Sequence, residues 1–204
     1  MDKLPGLIIK QVNFTDDTHI ENFEKYIGSI GKVDFLINNA RSHEFLKTDD
    51  FGLCSIDNLI SEFKINVAVP MRLCNFLIKS KIIPEGIINV SSQYGSIVPN
   101  PSLYDKLSEM SPIQYNVSKA ALDKLTKELA VRLASFKTRV NGIAYGGIKG
   151  RANKAFVRKY ETLASHSGML NLHECYGPLR WLMSTDSGIM NGQIIEANKG
   201  WSLC

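Results

Sequence analysis

Five short apolar runs, at residues 7–12, 33–37, 86–90, 139–144 and 193–196, constrain this chain more than any other feature. Several are nearly continuous in Ile, Leu, Val and Phe rather than alternating with polar residues. Side chains alternate faces along a strand, so an unbroken apolar run is a strand buried on both sides. Such strands build a parallel sheet covered by helices. The stretches between them carry helical periodicity. Residues 18–30 follow Thr15-Asp-Asp17, whose short polar side chains suit a helix start. Residues 56–80 contain Pro70, which predicts a kink or a division there. Residues 111–136 open on Ser111-Pro112, a capping residue followed by proline in the first turn. That helix carries Leu122, Leu125, Leu129 and Leu133 at helical spacing, a stripe for the core or a subunit contact. The βα alternation predicts an α/β fold, a doubly wound parallel sheet, as one domain over residues 1–204.

Composition removes several classes of function. A chain of 204 residues with 44% apolar and 22% charged residues buries an ordinary soluble core. The net charge of +4 is spread among acids with no basic stripe, so nucleic acid is not an expected partner. Cys54, Cys74, Cys175 and Cys204 form no CxxC pair and no metal-ligand spacing with the histidines, which predicts free thiols, no metal and a reducing, cytoplasmic setting. The apolar run near the start is too short for a signal peptide or a membrane span.

Candidate chemistry begins at Tyr115-Asn-Val-Ser-Lys119. On a helix, i and i+4 share a face, so a phenol and an ammonium lie close together. A free phenol ionises near pH 10, too high for proton transfer at neutral pH, and an adjacent cation favours the phenolate. The same spacing recurs in Tyr145-Gly-Gly-Ile-Lys149, but the glycines after a strand make that copy a loop. The run 86–90 continues into Ser91 and Ser92, which stand beyond the carboxyl end of a strand, where open α/β sheets bind ligands. The run 33–37 ends in Asn38-Asn39-Ala40.

In this order, Asn38-Asn39-Ala40, Asn66, Asn89-Val-Ser-Ser92 and Tyr115-x-x-x-Lys119 resemble the short-chain dehydrogenase/reductase family over nearly the whole chain. The resemblance implies a Rossmann-like fold and hydride transfer between NAD or NADP and a small-molecule carbonyl or alcohol. It implies Tyr115 as general acid/base, Ser92 orienting the substrate oxygen, Lys119 lowering the tyrosine and binding ribose, and Asn66 holding a relay water. Cofactor contacts are implied at Asn13, Asn38, Asn39, Ala40, Tyr115, Lys119, Gly146 and Ile148, and homo-oligomerisation through the helix bearing Leu122 and Leu133. Ser92 and Tyr115 are further apart than is usual for the family. The extra residues, 99–112, resemble dehydrogenases of bacterial surface-sugar and flagellin-glycan clusters, which extends the substrate class to a sugar derivative.

The pattern also departs from the family. No Thr-Gly-x-x-x-Gly-x-Gly turn occurs, so the first strand-helix-strand unit, which cradles the cofactor phosphates, is expected to be missing. Arg41 stands where the family has glycine, Tyr145 replaces the proline of a Pro-Gly turn, Gly150 replaces a threonine, and Lys199 replaces one glycine of a terminal pair. These departures leave a second expectation open, a non-catalytic truncated homologue serving as an interaction subunit or a decaying gene product.

Overall fold

The computed structural model describes residues 6–150, 152–164 and 168–203. Its strands β1 (Phe35–Asn38), β2 (Gly86–Ser92), β3 (Arg139–Tyr145) and β4 (Ile194–Ala197) form one parallel sheet in the order β1-β2-β3-β4. Among the described residues six α-helices connect and cover it: α1 (Asp17–Ile30), α2 (Ile56–Phe63), α3 (Val69–Lys79), α4 (Ile113–Arg132), α5 (Lys154–Leu163) and α6 (Tyr176–Met183).

Consecutive residues on β2 show why the apolar runs are unbroken. Ile87 packs with Cys74, Leu129, Leu133 and Val140. Its neighbour Ile88 packs with Ile143 and with Leu182 of α6. The two side chains point to opposite faces, so helices lie on both sides of the sheet. Burying an Ile or Leu of this kind contributes about 1.5–3 kcal/mol. A further cluster joins Ile20 and Ile27 of α1 to Val69, Leu73 and Leu77 of α3.

α1 begins where expected. The Asp16 carboxylate accepts from the Thr18 and His19 amides, and Gly31, at φ 72°, ends the helix in the left-handed region. The helical stretch 56–80 divides, but earlier than Pro70. A π-helical turn, Lys64–Ala68, separates α2 from α3, and Pro70 falls in the first turn of α3. Proline has no N–H to give the carbonyl four residues back, which is Asn66, so a regular α-helix cannot pass through this point.

Two expectations need correction, and the leucine stripe takes the core reading. Ser111 does not cap α4: Pro112 occupies the cap position, and the Ser111 hydroxyl donates to Asn116 Oδ1 at 2.7 Å. The local side-chain partner outcompetes the backbone amides. The leucine stripe is consumed internally, with Leu122 at 1%, Leu129 at 4% and Leu133 at 6% exposure. Residues 7–12 form no strand, and Leu7, Ile8 and Ile9 are exposed. An isolated β segment cannot satisfy its backbone, and no neighbouring strand is among the described residues. The Lys10 ammonium instead lies 4.4 Å from the ring centre of Tyr26 on α1.

The expected loop at Tyr145-Gly146-Gly147 is present: Tyr145 ends β3 and the glycines follow it. Residues 99–112 contain two short 3-10 turns, and Leu103 is buried with Tyr160, Met169 and Trp201. The described cysteines, Cys54, Cys74 and Cys175, are free, and Cys204 lies outside the described residues. Among the described residues no helix is long and apolar enough to cross a membrane, and no cluster could hold a metal ion.

Candidate active site

The carboxyl end of β2 and the first two turns of α4 meet the end of β1 and the π turn. Each contributes a side chain that the sequence singled out. β2 ends in the buried Ser92, whose Oγ accepts from the Tyr94 amide at 3.2 Å. α4 presents Tyr115 and, one turn later, Lys119, which is 5% exposed. The Lys119 ammonium stands 5.7 Å from the centre of the Tyr115 ring and donates to the Val90 carbonyl at 2.7 Å. That bond fixes a long side chain against the strand carrying Ser92.

Asn66, 2% exposed, gives both amide hydrogens to protein acceptors: Glu62 Oε1 at 2.7 Å and Ser118 Oγ at 2.9 Å. The Ser118 hydroxyl is itself committed to the Tyr115 carbonyl at 2.8 Å. Asn66 thereby ties the π turn to the helix that bears the phenol. Its Oδ1 has no partner in the protein although it is buried.

Asn38 is spent on the scaffold. Its Nδ2 donates to Asn89 Oδ1 at 2.8 Å, and Asn89 Nδ2 donates to Thr126 Oγ1 at 2.8 Å, joining β1, β2 and α4. Asn13 forms a tight turn, its Oδ1 accepting from the Thr15 amide and hydroxyl at 3.0 and 2.8 Å. Gly146 donates to the Ala197 carbonyl, and a Cβ there would lie 2.9 Å from Asn198 Cα, so glycine is required by the approach of β4. Ile148 forms an isolated bridge with Leu170. Of the predicted cofactor contacts, Asn38, Asn39, Ala40 and Lys119 line one cavity, while Asn13, Tyr115, Gly146 and Ile148 do not.

That cavity, about 370 Å³, lies under the end of β1 and is closed below by Phe14, Phe23, Leu73 and Leu122. The volume sits at the lower end of the range for small-molecule sites. Asn66 and Lys119 are the polar part of its lining opposite β1, in an otherwise largely apolar space.

Two residues of the site escaped the sequence reading of chemistry. The Arg41 guanidinium lies 4.9 Å from the centre of the Tyr115 ring, a cation–π distance. Glu62 is fully buried behind Asn66. Both alter the titration of the site. Burial pushes the Tyr115 phenol up, and Glu62 adds to the rise, while hydrogen bonding with Ser92 and the charge of Arg41 pull it down. Burial also brings the Lys119 ammonium down to about 8, against the opposing pull of Glu62. Asp123, one turn beyond Lys119, is raised by burial to about 6.

Comparison with known proteins places this arrangement. The family profile described as enoyl-(acyl carrier protein) reductase matches residues 2–202. Post-translational flagellin modification protein A of Campylobacter coli is 34% identical over 189 residues, 89% of this chain and 70% of that protein. The chain belongs to the short-chain dehydrogenase/reductase family. A 7alpha-hydroxysteroid dehydrogenase of Paraclostridium sordellii is 29% identical, covering 98% of this chain and 76% of that enzyme. The fold matches that of a short-chain dehydrogenase from Leptospira borgpetersenii solved with bound NAD+, with a TM-score of 0.83 at 22% identity over 98% of this chain and 80% of that one. Family membership also makes sense of Lys199. It adopts φ 57°, the left-handed conformation that glycine accepts without cost, and its ammonium pairs with Glu174 at 2.9 Å.

Proposed function

We propose that this chain carries the proton-transfer half of an NAD(P)-dependent oxidoreductase that interconverts a carbonyl and an alcohol, with Tyr115 as general acid/base. The observation that carries this reading is the convergence of Ser92, Tyr115, Lys119 and Asn66 at one end of the sheet, beside a cavity lined by Asn39 and Ala40. Asn39, Ala40, Asn66 and Lys119 would hold the nicotinamide end of the cofactor, which would supply the hydride.

The protein's own part is the proton. In reduction, the Tyr115 hydroxyl gives a proton to the substrate oxygen as that oxygen gains negative charge; in oxidation the phenolate takes it back. The Ser92 hydroxyl donates to the same oxygen and orients it. Burial opposes the phenolate, so cations must favour it. Lys119 is anchored to Val90 for this purpose, and Arg41 covers the ring as a second cation. The arginine at the family's glycine position therefore strengthens the tyrosine's environment.

The substrate class we favour includes sugar derivatives. The insertion at 99–112 supports it, as does a relative named for flagellin modification. A homo-oligomer would use the outer face of α4, where Val117 and Val131 are exposed, since the leucine stripe is already buried.

Titration calorimetry with NADH and NADPH tests cofactor binding directly, and micromolar affinity is expected for one of the two. Tyr115→Phe should then lower kcat on carbonyl substrates by about 10²–10⁴-fold with cofactor affinity nearly unchanged. Undiminished turnover in that variant, or no binding of either nucleotide, sinks the reading.

A further inference from the structure

Behind Asn66 the hydrogen-bond accounting does not close. α2 and α4 both return from the carboxyl to the amino ends of a parallel sheet, so they run parallel, and Asn66 and Ser118 join them. One turn earlier on each helix stand Glu62 and Gln114, both fully buried. Every donor on this seam is spent. Asn66 Nδ2 serves Glu62 and Ser118, and Ser118 Oγ serves the Tyr115 carbonyl. Gln114 Nε2 serves the carbonyls of Phe45 and Lys47 at 2.7 and 3.2 Å. Three acceptors remain with no donor: Glu62 Oε2, Asn66 Oδ1 and Gln114 Oε1. Each buried acceptor left so costs about 1–3 kcal/mol, more if charged.

We propose that Glu62 is a protonated carboxylic acid at neutral pH, a positioning residue that supplies the missing donor on this seam and fixes Asn66 without adding negative charge beside Tyr115. This rests on the functional reading above for its consequence, but not for its observation. The proton turns one Glu62 oxygen from an acceptor into a donor, which removes one of the three deficits and supplies a donor for a second. The third, an Asn or Gln carbonyl, is left for water.

The groups facing Glu62 from the packed elements are few. Lys119 comes from α4 and Arg41 from the loop after β1; the π turn brings the neutral Asn66, and α4 also brings the neutral Gln114. Neither cation hydrogen-bonds to it. The Lys119 ammonium is held by Val90, and Arg41 lies in the exposed loop against the Tyr115 ring. Burial is the largest influence on the Glu62 carboxyl and raises it above the ordinary carboxylate range; the Asn66 bond and the two cations oppose it. The chemical consequence follows from sign. A neutral Glu62 leaves the Arg41 charge uncompensated at the phenol, whereas an ionised one cancels part of its field and disfavours phenolate.

Infrared spectroscopy reads the proton without cofactor or substrate. The wild-type chain at neutral pH should show the C=O stretch of a protonated carboxylic acid, displaced when the protein is grown with 13C-labelled glutamate. The band should persist in Asp123→Asn, the other buried carboxyl nearby, and vanish in Glu62→Gln. Absence of any glutamate-derived band in labelled wild type overturns the proposal, and that measurement needs no folded variant. A band unaffected by Glu62→Gln overturns it equally. A glutamate band present while Tyr115→Phe leaves turnover intact would refute the catalytic reading and leave the protonation standing.

Discussion

The strands β2 and β3 differ from β1 in what surrounds them, and the difference separates the two halves of the chemistry. β2 is hydrogen-bonded on both sides, with every residue but Val90 buried, and β3 is buried from Val140 through Ala144. Ser92 projects from the end of this rigid pair, and α4 with Tyr115 and Lys119 packs across it. β1 is an edge strand of four residues, none of them fully buried, and Ile37 is exposed. The residues that would hold a nucleotide, Asn39 and Ala40, continue from that edge. The proposed proton-transfer groups, with Lys119 and Asn66, thus stand on the most constrained part of the molecule, and the proposed cofactor contacts Asn39 and Ala40 on the least constrained. A site needs its reacting groups held closely on rigid elements, and that requirement is met on the side of Tyr115.

The contrast breaks first in the core. Ile143 on β3 is 0% exposed and packs against Ile88 and Leu182. Ile143→Ala should cost about 2–5 kcal/mol in urea unfolding, from lost burial and the cavity left behind. A cost below about 1 kcal/mol would mean that the central strands are loosely packed, and the rigid platform under Ser92 would be lost from the argument.

How far the sequence carried this picture depends on what each feature needed from the rest of the chain. The runs at 86–90 and 139–144 were legible because two-sided burial leaves no polar position to confuse them. Tyr115 and Lys119 were legible because i,i+4 spacing on a helix fixes their separation locally. The run at 7–12 has the same composition as the buried strands, yet forms none, because a strand is completed only by a neighbour. Glu62 was invisible because its burial comes from α4 crossing α2, and a glutamate on an amphipathic helix reads as solvated. Arg41 was visible as a substitution, but its position over Tyr115 depends on the loop after β1. Pro70 signalled the break in residues 56–80, while the π turn that performs it lies one turn earlier, where the missing N–H is felt.

A smaller effect sharpens the comparison near the site. The Asp123 carboxyl titrates at about 6 in the folded chain, raised by burial from an ordinary 3.8. A raised carboxyl means that the folded state holds its proton more tightly than the unfolded state. Stability is therefore favoured below the unfolded value, declines as pH rises from about 4 to about 6, and stays reduced above that. Asp123→Asn should be more stable than wild type by about 1 kcal/mol at pH near 7.5, after allowance for its partial exposure, and should lose that advantage near pH 4. Lys119, brought down to about 8, adds stability only as pH climbs above that value, so the two effects separate by pH. Urea melts at the two pH values decide the matter. An Asp123→Asn chain less stable than wild type near pH 7.5 would show that the carboxylate is held by a favourable charge partner rather than penalised by burial.

The smallest effect is expected at the opposite end of the comparison. Ile9 is apolar and β-branched, as are the buried strand residues, but it is 77% exposed and belongs to a segment that pairs with nothing. Ile9→Ser removes an apolar side chain that already lies in water, so neither a transfer cost nor a cavity follows. The unfolding free energy should change by less than about 0.5 kcal/mol. The same substitution at Ile143 would be ruinous, because there the hydroxyl would be buried without a partner. If Ile9→Ser instead costs about 2 kcal/mol or more, residues 7–12 are packed in solution against something that shields them. The edge at β1 would then be the first place to look, since it is one of the two edges of the sheet that offer unpaired backbone. That outcome would erase the distinction between a completed catalytic platform and an open cofactor edge.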